Sequence, residues 1–379
     1  MAVVSLWSSH TSDGRVRLAS RCLRPRDDGA SASGAGVQAG PSPDLARRSP
    51  ADRSYAKTRD VTQRDRPDTA PHADAADPTP TWVGPSPFWR LKLALDDAFF
   101  AASSLASVAA FYLDPTLRRL VAENRHLHNR HAGERCFILG TSPSIAEQDL
   151  APLANEHTIA VNFFYHHPQA ALVRPATWVI QDKRLWRGGW PTRLIPPGTT
   201  YPAGMIDAIT ACSPDTRFFL HGDGRKDPAL TRALGTRPTH WLAGRSLFYR
   251  QFRGPAAPDG PGARGNVMQT ALTIAAFLGF SEVYLLGISL DGLIRDVLGQ
   301  PVHFYDAPSP PSPRPSHSLE FDHLLTGYMI RGWRGLADHY RRLGHPTVVN
   351  LTPDGFLDMF PRQTLASVLA LPRPTRAAP

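Results

Sequence analysis

Lysine is nearly absent from this chain: four of its 42 basic residues are lysines, at positions 57, 92, 183 and 226, and no basic run stands out. The net charge of +9 is therefore carried by scattered arginines. That pattern argues against a nucleic-acid surface and fits diffuse attraction for an acidic substrate, a nucleotide or an anionic membrane face. Cysteine is scarce too. Cys22, Cys136 and Cys212 lie far apart and make no pair with metal-ligand or redox spacing, which leaves reduced thiols in a cytoplasmic protein as the expectation and a buried apolar role for Cys136. A long hydrophobic run is also missing. The uncharged stretch from Ala98 to Leu113 is 16 residues long, short of the roughly 20 that cross a bilayer. MAVVSLWSS is too short for the apolar core of a signal peptide and has no charged segment before it, so secretion is not expected.

What is present divides the 379 residues unevenly. Residues 1–80 are rich in Pro, Ala, Ser, Gly and Asp with few spaced apolar positions, a composition that cannot offset the entropy of ordering and predicts a disordered tail. Residues 85–131 are alanine-rich and helical in character. They predict a helical segment packed on the main domain, or a peripheral membrane contact through Phe88, Trp89, Phe99 and Phe100 with Arg90 and Lys92. An organised domain is expected over 133–363, and a tail over 364–379.

Within that domain, apolar runs alternate with helical patterns, which predicts an α/β fold with a mostly parallel sheet flanked by helices. CFILG (136–140) and HTIAVN (157–162) read as strands, as do ATWVIQD (176–182), TRFFLHGDG (216–224) and EVYLLG (282–287). Between the first two lies the small-residue elbow Gly140-Thr141-Ser142-Pro143-Ser144, followed by Ser144-Ile145-Ala146-Glu147 with the spacing of a capping box. A strand, a tight elbow and a helix N-terminus would make a phosphate or ribose site. The elbow lacks the G-x-G-x-x-G pattern, and Asn162 follows Gly140 by 22 residues, near where dinucleotide folds place a ribose-binding side chain. Polar residues also end later strands: Gln181 and Asp182, His221 and Asp223, then Ser289 and Asp291. Val267, Thr270, Ala271, Ile274, Ala275 and Leu278 form the stripe of a helix packed on a sheet, with Asn266 as its cap and Gly279 as its stop.

Five segments then carry a resemblance: CFILGTSPSI with DLAPL, AVNFFYHHP, MQTALTIAAFLGFSEVYLLGIS, HFYD (303–306) and VVNLTPDGFLDMFPR (348–362). In this order and spacing the chain resembles the sialyltransferases of glycosyltransferase family 42 and the related 6-hydroxymethylpterin diphosphokinase MptE-like domains, over roughly 133–363. The resemblance implies a Rossmann-like transferase using a nucleotide-activated donor, with CMP-type nucleotide sugar favoured and no tightly bound cofactor. Its acceptor would be a surface or lipid-linked glycan, reached in the cytoplasm or at the inner face of the membrane. It implies nucleotide contacts from Gly140, Thr141, Ser142, Ser144, Asn162, Asp182, Ser289 and Asp291. Thr141 stands where the sialyltransferases have an asparagine, and Ser289 and Asp291 replace an aspartate that follows the glycine in relatives.

Sugar transfer with inversion needs a base for the acceptor hydroxyl and donors for the departing phosphate. Tyr305 is the expected leaving-group residue. His303 and His317 are the candidates for the base, with His303 preferred because Ala307 to Ser316, rich in proline, reads as a flexible lid that gives little to position His317. Asp182 motivates the alternative, a pterin-type diphosphokinase assisted by Mg²⁺. Thr141 and Ser289 motivate a third reading, a nucleotide-binding protein without chemistry.

Overall fold

A computed structural model describes residues 86–187, 202–247, 262–306 and 316–373. The expectations for the 1–80 tail, the N-terminal nonapeptide, Cys22 and the lid up to residue 315 lie outside the described residues. Eight strands form one sheet: β1 Arg135–Leu139, β2 His157–Val161, β3 Thr177–Ile180, β4 Arg217–His221, β5 Thr239–Leu247, β6 Gly262–Arg264, β7 Glu282–Leu286 and β8 Thr347–Asn350. Their order is β6-β5-β4-β3-β2-β1-β7-β8, and every pairing is parallel. The fold is α/β, a parallel sheet flanked by helices.

The strands read as continuous apolar runs because both faces of the sheet are covered. All five residues of β1 are buried. Alternate side chains serve opposite layers. Cys136, Ile138, Ile159, Val161, Val283 and Leu285 pack with the Val267–Leu278 helix and with Trp333, Leu336 and Tyr340 of the Ser316–Leu343 helix. Phe137, Leu139, Ala160, Trp178 and Leu286 pack with Met205, Ile206 and Ile209 of the Ala203–Cys212 helix. The expected stripe on Val267–Leu278 widens into burial of every residue from Met268 to Leu278, since this helix lies between the sheet and a second helical layer. Asn266 caps it by accepting from the Met268 amide at 2.8 Å, and Gly279 ends it in the left-handed conformation.

Ahead of β1, the helices Pro87–Tyr112 and Pro115–Ala122 close against β5 through Phe111, Leu117, Val121 and Ala243. Phe88, Trp89 and Phe99 are exposed, as are Arg90 and Lys92, while the Phe100 side chain is outside the described residues. Among the described residues no helix is long and apolar enough to cross a membrane.

Two expectations are corrected. The segment after the elbow is a five-residue 3-10 turn, Pro143–Glu147, with no side-chain cap, so no capping box forms at Ser144. Pro143 and the early return of the chain at Gln148 leave no length for an α-helix there. The 364–379 tail begins too early. Thr364 caps the helix Leu365–Leu369, whose Val368 is fully buried, and Arg135 donates to the carbonyls of Val368 and Leu371.

The tightest backbone approach joins the ends of β1 and β7. A Cβ at Gly140 would stand 2.3 Å from the Gly287 carbonyl oxygen, and Gly287 has φ +69°. Gly140 is thus a folding requirement, and its replacement would not leave the fold intact. Gly140→Ala is expected to destabilise the protein by about 3 kcal/mol or more, since backbone cannot yield as a side-chain tip can. Chemical denaturation checks this, and an unchanged midpoint would contradict the close packing.

Candidate functional site

The sheet order reverses between β1 and β7. The chain moves outward from β1 through β6, then returns to place β7 and β8 on the other side of β1. In open parallel sheets, ligands bind outside the carboxyl ends of the strands at such a switch point. Here that edge holds the elbow after β1, Asn162 after β2, Gln181 after β3 and Gly287 after β7.

The elbow is held by its own sheet. The amides of Gly140 and Ser142 donate to the carbonyls of Leu286 and Gly287 at 2.8 and 2.9 Å, and Ile145 donates to Ser142. These groups are therefore not an open anion cradle, contrary to the expectation drawn from a helix N-terminus. Ser142 and Ser144 are buried, with their hydroxyls 3.2 Å apart. Their direct nucleotide contact is not supported by this geometry.

Thr141 differs. Its hydroxyl lies 3.0 Å from His303 Nδ1, and its carbonyl accepts from the Phe304 amide at 3.0 Å. HFYD is thereby seated on the switch point, although 162 positions separate Thr141 from His303. The turn is closed from within: Asp306 accepts from the amides of Val302 and His303 at 3.2 and 2.8 Å. Tyr305 stacks on His303 with ring centroids 5.1 Å apart and meets Phe163 edge-on at 5.7 Å. Burial pushes the His303 imidazole below its ordinary pKa, only partly offset by the Asp306 charge and a hydrogen bond to Thr141. A neutral imidazole, fixed at Nδ1 by a hydroxyl, can accept a proton at Nε2.

Asn162 precedes Phe163 on the same rim. It has φ +45° and its carbonyl accepts from Trp178 Nε1 at 2.9 Å, yet its side-chain oxygen is buried with no partner among the described residues. His166, which the sequence reading gave no role, also presents a buried, unpartnered Nε2, and its ring lies 6.0 Å from that of Tyr305. Burial lowers its pKa as well. The available signal was the pair of histidines after β2. His167 is the structural member, stacked on Phe164 with Nε2 3.3 Å from the Ile145 carbonyl oxygen.

Other expected residues are engaged elsewhere. Asp182 accepts from the Arg184 amide at 2.9 Å and pairs with its guanidinium at 2.6 Å. The Thr270 hydroxyl donates to the Gln181 side chain, joining β3 to the covering helix. His221 Nδ1 accepts from the Asp223 amide at 3.1 Å. Ser289 is buried under Gly355, where a Cβ would meet the Ser289 carbonyl oxygen at 2.0 Å. Asp291 binds Arg295 at 2.7 Å, and Arg295 also reaches Asp354 at 2.7 Å. Those contacts tie Ser289 and Asp291 into the rim, where Asp291 Oδ1 is still buried without a partner among the described residues. His317 lies in the first turn of the Ser316–Leu343 helix, and its side chain is outside the described residues.

No family model matches the chain, and no curated protein matches it. Among solved structures, the chain is similar to the sialyltransferase CstII from Campylobacter jejuni in complex with a substrate analogue, cytidine-5'-monophosphate, with 14% identity, 62% of this chain and 86% of that chain covered, and a TM-score of 0.35. The same enzyme with CMP-3FNeuAc matches at 12% identity, covering 64% and 91%, with a TM-score of 0.35. The MAf glycosyltransferase from Magnetospirillum magneticum AMB-1 matches at 15% identity, with 67% of this chain and 39% of that chain covered, again at 0.35. Likenesses this distant carry no argument about activity.

The turn that presents His303 depends on one carboxylate. Asp306→Ala removes two acceptor contacts and should cost about 1–2 kcal/mol of stability. Thermal and denaturant unfolding of the variant would reveal the loss, and an unaltered midpoint would show that the turn is held by its aromatic packing alone.

Proposed function

We propose that the protein is a glycosyltransferase that takes a nucleotide-activated sugar, of CMP type, at the switch point of the sheet. What carries this reading is the convergence of the Thr141–His303 pair with Tyr305 and the unpartnered amide oxygen of Asn162. A buried amide oxygen without a partner costs about 1–3 kcal/mol, which a ligand N–H on a base or sugar would offset. In the proposed reaction His303 Nε2 takes the acceptor hydroxyl proton, the acceptor oxygen bonds to the anomeric carbon, and the bond to the phosphate oxygen breaks. Tyr305 donates to the departing phosphate. His303 is chosen over His317 because Thr141 holds its imidazole at the rim. The diphosphokinase alternative relied on Asp182 as a metal-assisting carboxylate, which in this structure is paired with Arg184.

The test is donor turnover. The full chain should release CMP from a CMP-sugar, and His303→Ala should lower turnover by roughly 10² to 10⁴ with donor affinity nearly unchanged. Tyr305→Phe should reduce turnover as well, and His317→Ala should not. A base works when deprotonated, so the lowered His303 pKa keeps it competent as pH falls, and the acid limb of kcat/KM should lie below about 6.5. Turnover of ATP instead of sugar nucleotides would sink the proposal, as would turnover of neither.

The acceptor is proposed to be lipid-linked or surface glycan. Exposed Phe88, Trp89 and Phe99 beside Arg90 and Lys92 suit contact with an anionic membrane surface, where such an acceptor resides. The protein should co-sediment with phosphatidylglycerol vesicles, and a Phe88→Ser, Trp89→Ser double variant should remain in the supernatant. Parent protein that stays in the supernatant would refute the contact.

A further inference from the structure

The opposite edge of the sheet holds a second cluster of ligand-type side chains. His131 Nδ1 lies 3.0 Å from Glu134 Oε2, and His157 Nε2 lies 2.6 Å from that same oxygen. The potential ligand atoms of the three residues all fall within 4.8 Å of one another. They come from two segments: the turn leading into β1, and the first residue of β2, which pairs with Cys136.

Backbone contacts fix these side chains before any ligand arrives. The His131 amide donates to the Leu278 carbonyl at 2.8 Å, the Glu134 amide to the His131 carbonyl at 3.1 Å, and the Ser281 amide to the Glu134 carbonyl at 2.8 Å. The His131 ring lies flat on Phe280, with centroids 4.8 Å apart and 4° between the planes. Such support from outside the ligand set is what orients ligands in metal sites.

We propose that His131, Glu134 and His157 bind a divalent transition-metal ion of the zinc class, with a fourth position open to the adjoining cavity. Two imidazoles and a carboxylate are a borderline N/O donor set, suited to zinc rather than to magnesium or calcium. With bonds of about 2.0–2.1 Å, tetrahedral ligand atoms stand about 3.4 Å apart, so each histidine nitrogen needs to draw back from Glu134 Oε2 by less than an ångström. The cavity, of about 130 Å³, is lined by His131, His157, Thr158, Arg217 and Phe280 among others. Thr158 Oγ1 is buried without a partner among the described residues and can bind a metal-held water. Arg217 favours an anion such as chloride at the fourth position.

The local charges suit the ion. Burial and the neighbouring His157 lower the His131 pKa despite Glu134, and a neutral imidazole is the form that coordinates metal. Burial acts to raise the Glu134 pKa, but hydrogen bonds and charge from the two histidines leave it below the usual carboxylate value. β1 separates this cluster from Thr141 by a full strand length, so the ion would pin the chain entering β1 to β2 and take no part in chemistry at the switch point.

The experiment uses the untagged full chain, stripped with a chelator and titrated with ZnCl₂. About one zinc per chain should bind with a Kd in the micromolar range or below, with a rise in Tm of several degrees. Co²⁺ in its place should give the intense visible bands of tetrahedral coordination. His157→Ala removes a ligand whose side chain is 43% exposed, so the variant should fold, as circular dichroism would verify, and lose that equivalent. Glu134→Gln should weaken it at least tenfold. Zinc binding equal in parent and His157→Ala, or a Co²⁺ spectrum of the octahedral aqua ion, would overturn the assignment. Neither result bears on CMP-sugar turnover, which is read separately.

Discussion

The close passage of Gly140 against Gly287 is the constraint on which the upper edge of this protein depends. With no side chain at either position, β1 and β7 run side by side to their last residues, and the elbow amides complete the ladder. The chain must then turn out of the sheet at Thr141, which leaves that residue's hydroxyl and carbonyl facing the segment 302–306. Positioning of His303 follows from a contact between strands, transmitted through one threonine.

Around this point the rim mixes paired and unpaired polar groups. On the β8 side several polar groups are paired to one another, while Asp291 Oδ1 and Asp354 Oδ1 are buried without a partner among the described residues. Asn350 accepts from the Thr352 amide and donates to the Leu357 carbonyl, Thr352 accepts from the Ile288 amide, and Arg362 donates to the carbonyls of Thr352, Asp354 and Gly355. Arg295 links the other carboxylate oxygens of Asp291 and Asp354. On the β2 side, Asn162 and His166 keep buried atoms without partners among the described residues. Folded proteins pair nearly all such atoms, so the unpartnered atoms of Asn162, His166, Asp291 and Asp354 mark where the rim leaves polar groups unsatisfied.

The two ends of β1 serve different chemistry. Its carboxyl end meets aromatic rings and a lone amide, while its amino end meets two imidazoles on a shared carboxylate. A parallel sheet makes such a division natural. All strands point one way, so polar residues leaving the apolar runs collect at two separated edges.

Much of the architecture was legible from the chain alone. Runs such as CFIL, TIAV, WVI, FFL and VYLL are apolar without alternation because both sheet faces are covered, and this alone implies parallel strands between helices. β5, β6 and β8 were not read as strands; THWLAGRSL and GAR mix polar and small residues, and TVVN is short. The elbow was seen, but the cap after it was misread. Local spacing at Ser144 suggested a cap, whereas the partners of the elbow amides lie on β7, nearly 150 positions away. His303 was found by its company in HFYD, yet its partner Thr141 could be identified only in space. His131, Glu134 and His157 have no motif spacing at all. Sequence by itself determined where apolar surface must be buried, since that depends on local periodicity. The tertiary structure decided which polar groups meet, because hydrogen bonds are satisfied by whatever the strand order brings within 3 Å, and that order is a property of the whole fold.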